Sequence, residues 1–205
     1  MNNNFYSKTF GHFLLSIGIV AVLAFTSLLI FFAGYSNDIA GLYIFGSLND
    51  ILGSVEAILS AILATILVFS ASKRWIWLNG IGAILSWTGA FIATLDSLMA
   101  GDIIPKNTAV ILRTQYGFPP LLTTHDLHFG FGLIGVWLII LNFQALQAKS
   151  WPTHLLGLGF ASGIFMAIGL FNSPAALGFV FLYPIWCIVT GRYILKTQKR
   201  ATTDG

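Results

Sequence analysis

GSLNDILGSVEAILSAILATILVFSA, residues 46–71, decides the fold. It exceeds the roughly 20 apolar residues that a helix needs to cross a bilayer. Its polar and small members do not alternate as they would on a strand. Gly46, Asn49, Gly53, Glu56 and Ser60 recur at three-four spacing, which places them on one helix face. The segment therefore reads as a membrane helix with one side too polar for lipid, and that side must turn toward other helices.

The rest of the chain agrees. Of its 205 residues, 57% are hydrophobic and 8% are charged, against about 25% charged in a soluble domain. Mean hydropathy is +0.85. The formal charge of +3 comes from basic residues at helix ends and gives no reason to expect a nucleic-acid partner. Cys187 is the only cysteine, so no intrachain disulfide, CxxC pair or thiolate zinc cluster can form, and its mid-span place suits an inert apolar role.

Six segments reach spanning length: 12–34, 46–71, 75–96, 126–147, 153–172 and 175–195. The first, FLLSIGIVAVLAFTSLLIFFAG, carries Val22-Leu23-Ala24 as a superficial cleavage site, but its apolar run continues past Ala24 and reads as a retained helix. The expected fold is all-α and polytopic, a single domain over 1–205 with six transmembrane helices. Lys8, the Lys73-Arg74 turn, Lys149 and the tail with Arg192, Lys196, Lys199 and Arg200 mark one side. By the positive-inside rule both termini are cytoplasmic, with Lys106 and Arg113 the exceptions outside.

The turns SASKRW and QAKSWPT are short, so spans two and three form one hairpin, and spans four and five another. Trp75 before LNGIG and Trp151 before LLGLG give the hairpins a faint likeness. The long outer loop, 97–124, contains PKNTAVILRTQYG, where Asn107 as a cap and Gly117 as a stop predict a short surface helix.

Two further spans carry polar stripes. The third reads Asn79, Gly82, Ser86, Gly89, Ala93, Asp96, and the fourth reads His125, His128, Gly132, Gly135, with Asn142 further on. Asp50, Asp96 and His128 stand 23, 22 and 21 residues from Lys73, Arg74 and Lys149. At about 1.5 Å per residue, all three lie on the order of 32–35 Å from the inner boundary. Glu56, 17 residues from Lys73, lies about 26 Å up. The sequence thus predicts an outward-facing pocket between spans two, three and four, roofed by the outer loop.

That pocket admits several readings. Asn49, Asp50, Glu56 and Asp96 are candidate ligand-binding residues. Glu56 is also the candidate for proton carriage or general acid–base work, because desolvation favours a carboxyl's neutral form. His125 and His128 could hold zinc or another divalent metal with Asp96, Asp50 or Glu56, an arrangement suited to hydrolysis. Without a metal, the histidines are interfacial and hydrogen-bonded to loop carbonyls or a carboxylate. Asp126, after Thr123 and Thr124, suits a helix cap. Haem is excluded because two histidines three apart on one helix cannot ligate opposite faces of one ring.

FGLIGVWLIILNFQAL at 131–146, SWPTHLLGLGFASG at 150–163 and LYPIWCIVTGRYIL at 182–195 resemble bacterial six-helix membrane proteins of the domain-of-unknown-function 4386 type. The likeness covers the last two-fifths of the chain and implies a fold and a bacterial cytoplasmic membrane, but no catalytic residues. Three functions remain open. The first is a non-enzymatic protein that binds, senses or moves a small-molecule ligand, with no resident cofactor. The second is a metal-dependent membrane hydrolase, and the third a structural or assembly subunit. Partners follow from the class: the lipid bilayer, with a homo-oligomer or membrane-complex partner compatible with the small size.

Overall fold

The computed structural model describes residues 8–70, 73–123, 127–171 and 177–203, and side chains of the last helix over 180–199. Among these residues there are seven α-helices and no strand: α1 (Lys8–Ser36), α2 (Ile44–Ser70), α3 (Ile76–Ala100), α4 (Thr108–Tyr116), α5 (Leu127–Gln147), α6 (Thr153–Ile168) and α7 (Leu177–Thr203). The all-α expectation holds. By length and hydropathy, α1, α2 with its preceding 3₁₀ turn, α3 and α5 can each cross a membrane. The apolar helix α6 is shorter, at 16 residues.

Six of these helices form a ring in chain order. Each packs on its sequence neighbour, with α3 passing to α5, and α7 closes the ring against α1. This order follows from short connections, which force consecutive apolar helices to lie side by side. The helix α4 stands outside the ring, where Ala109 joins Leu95 and Met99 at the end of α3. Gly117 ends α4 at φ +68°, the left-handed conformation that glycine adopts without strain. Asn107 occupies the predicted cap position, but its side chain makes no capping hydrogen bond. The nearby Thr108 hydroxyl instead donates to the Pro105 carbonyl at 2.6 Å.

Several helices outrun the hydropathy boundaries. The α1 helix starts at Lys8, and α3 continues past Asp96 to Ala100. Helical hydrogen bonding satisfies the backbone beyond the apolar stretch as well as within it, so Asp96 lies inside a helix rather than at its end.

The stripes turn inward as their spacing predicts. Gly53, Glu56 and Ser60 are buried on α2, and Asn79, Gly82, Ser86, Gly89 and Ala93 on α3. Large apolar side chains cover the outside: Trp77 and Phe171 are 82% and 90% exposed, an arrangement that water penalises and a bilayer accepts. At the α3–α5 crossing the two backbones touch. A Cβ on Gly130 would stand 2.6 Å from the Gly89 carbonyl oxygen and 3.0 Å from the Ala93 nitrogen. Small residues at such a crossing permit the close approach on which membrane helix packing depends.

Candidate functional site

Glu56 is 3% exposed, in the buried face of α2. One turn later, the Ser60 hydroxyl donates to the Glu56 main-chain carbonyl at 2.8 Å. The same Ser60 oxygen lies 2.8 Å from the Tyr183 hydroxyl on α7. Because Ser60 has a single hydrogen and gives it to the carbonyl, Tyr183 is the donor in the second bond. The helices α2 and α7 are not neighbours in the ring, so this bond crosses the bundle.

Tyr183 is itself completely buried and stacks on Trp186, with ring centroids 6.2 Å apart and planes 13° apart. Trp186 in turn meets Trp151 edge-on at 5.8 Å. The thiol of Cys187 lies within hydrogen-bonding reach of Tyr183, and both side chains lie within electrostatic reach of Glu56. The carboxyl oxygen Oε1 of Glu56 is buried and has no hydrogen-bond partner. One turn back, a Cβ on the buried Gly53 would meet no atom within 4 Å. A carboxyl group, an unused acceptor and open space thus coincide inside a helical bundle.

The other predicted site residues divide. Asp50 is half-buried, accepts from Asn49 Nδ2 at 3.3 Å and lies within electrostatic reach of Asp96 on α3. Asn49 and Asp96 thus both act on Asp50. Glu56 lies two turns on from Asn49 along the same face of α2, within electrostatic reach of Tyr183 and Cys187 on the last helix. His128 is in the first turn of α5, while His125 and Asp126 fall outside the described residues. Among the described residues no three His, Cys, Asp or Glu side chains cluster closely enough to hold a metal ion.

A second buried polar contact lies farther along α3. Gln144 Nε2 on α5 donates to Asn79 Oδ1 at 2.8 Å, and Asn79 Nδ2 approaches the Leu67 carbonyl of α2 at 3.5 Å. This links three helices through neutral groups. Asn142 of the fourth stripe turns its amide back to the Leu138 carbonyl at 2.8 Å, under the closely packed Gly159.

The sequence places Glu56 in a buried stripe, and the structure adds Tyr183 and Cys187 of the last helix to its surroundings. Tyr183 stands in an apolar span that carries no polar stripe. The available signal was its four-residue spacing from Cys187, which puts a hydroxyl and a thiol on one face of an otherwise apolar span. Gln144 was missed as well, because its partner Asn79 is 65 residues away.

The fold and site define a helical membrane-protein bundle with an ionisable group in its interior. No protein-family profile, curated protein or solved structure matches the chain.

Proposed function

We propose that this protein is a six-span bundle of the bacterial cytoplasmic membrane, with both termini cytoplasmic, that binds, senses or moves a small solute without catalysing a reaction. Glu56 is its exchangeable proton carrier. The observation that carries this reading is the fully buried Glu56 carboxyl with an unpartnered oxygen beside open space.

A bare carboxylate within a bilayer costs roughly 2.5–3.5 kcal/mol or more. Among the described residues the buried faces of α1, α3 and α5, which pack on α2, carry no ionisable group to offset that cost. Among the described groups across the bundle, Tyr183 and Cys187 supply no positive charge. The remaining way to hold this residue is with a proton, or with a cation that enters in the proton's place. Both are exchangeable, and exchange is what a solute-binding or solute-moving site requires.

Infrared difference spectroscopy tests this directly. The purified protein is expected to show a protonated-carboxyl stretch that disappears in Glu56→Gln and exchanges with deuterium on the timescale of mixing. A wild-type spectrum indistinguishable from that of Glu56→Gln would refute the role.

A further inference from the structure

We propose that the space beside Glu56 is a binding site for a small protonated primary amine, which displaces the carboxyl proton as it enters. The inference rests on Glu56 being the proton carrier and adds the chemical class of the solute. Three observations support it together: the carboxyl oxygen without a partner, the open volume at Gly53 one turn before Glu56, and the Ser60–Tyr183 hydroxyl pair one turn after it.

Charge selects the class. A neutral solute would leave a carboxylate uncompensated once the proton departed, and an anion would add a second buried negative charge. A monocation preserves neutrality, so the exchange balances: the Glu56 carboxylic acid and R–NH₃⁺ become a carboxylate–ammonium pair and a released proton. No oxidant, reductant or covalent step is needed.

Ligand number favours an amine over an alkali ion. The described oxygens around Glu56 are few, namely its own carboxylate and the hydroxyls of Ser60 and Tyr183, and the buried residues beside them, Ala57 and Trp186, are apolar and aromatic. A metal cation of this hardness requires a fuller oxygen shell. An ammonium has three N–H donors, which three acceptors satisfy, and its alkyl part suits the apolar wall. Among the described residues the groups facing Glu56 from α7 are Tyr183 and Cys187, neither cationic, so nothing in place competes with the incoming charge.

The test is a proton-release titration of the purified full chain in weakly buffered detergent with a pH indicator. Ethylammonium chloride is the probe, beside potassium chloride and tetramethylammonium chloride. Saturable release of one proton per chain is expected with ethylammonium alone, and none in Glu56→Gln. Gly53→Leu, which fills the space, should abolish release while keeping the protonated-carboxyl band. Tyr183→Phe removes one acceptor and should raise the half-saturating concentration about tenfold, the effect of losing one hydrogen bond to a charged group. Equal release by potassium or tetramethylammonium would overturn the amine assignment, as would unchanged release in Gly53→Leu. No release despite a Glu56 band would refute the amine site and leave the proton carrier standing. Absence of the band would remove both.

Discussion

The polar stripes of α2 and α3 look alike in sequence and do different things. On α3, Gly89 lies against the Gly130 backbone of α5, and the stripe is a contact surface. On α2, Gly53 is equally buried but faces open space, and the next stripe residue is an ionisable acid with an unpartnered oxygen. The same small-residue spacing thus serves close packing in one helix and makes room in the other. What separates them is the neighbour: a helix backbone fills the volume beside Gly89 on α3, whereas no atom comes within 4 Å of a Cβ on Gly53 of α2.

Substitution should expose the difference. The largest effect is expected for Gly89→Ala, whose added methyl meets the Gly130 carbonyl, a main-chain atom that cannot rotate away. Overpacking of this kind costs about 1–3 kcal/mol, measurable as a lowered midpoint of unfolding in mixed detergent. A midpoint equal to wild type would show that α3 and α5 can separate freely, and the contrast with α2 would collapse.

A smaller effect is expected from cutting the Gln144–Asn79 bond, the neutral counterpart of the Glu56 centre. Gln144 and Asn79 satisfy each other in part, so they act as interhelical glue. A double-mutant cycle with Gln144→Leu and Asn79→Leu should give a coupling of roughly 0.6 kcal/mol, the usual worth of such bonds between membrane helices. No loss of amine-dependent proton release should accompany it. Loss of release would place the amide pair in the same working unit as Glu56.

The last effect, expected for Gly53→Ala, has the opposite sign. Its methyl enters empty volume, and alanine is favoured over glycine within a helix by roughly 0.5–1 kcal/mol. Unfolding midpoints should therefore stay level or rise slightly. A marked fall would mean that the space beside Glu56 is closed, and the site built on it would lose its basis.

How much of this was legible depended on range. Helix positions, the inward turn of the stripes and the stop at Gly117 follow from local periodicity and backbone preference, which three or four neighbouring residues set. The gathering of Asn49, Asp50 and Asp96 was also within reach, because counting from Lys73 and Arg74 places them at one depth on adjacent helices of a hairpin. The approach of Tyr183 to the Glu56 face was not, since Tyr183 is 127 residues away and a span's hydropathy says nothing of which ring neighbour, or which helix across the ring, its polar face will meet.

Sequence alone therefore determined the solvent: a chain with 8% charge and long apolar helices cannot bury its surface in water. It also determined that Glu56 would be withdrawn from lipid, because one helix face collects the polar and small residues. Only the tertiary structure decided what that face would find. Ring closure between α7 and α1 brings the last helix around to the second and sets the Tyr183 hydroxyl on Ser60. Depth in a membrane is additive along a helix and can be counted from its ends. Azimuth and helix order depend on how every face packs at once, and no single segment carries them.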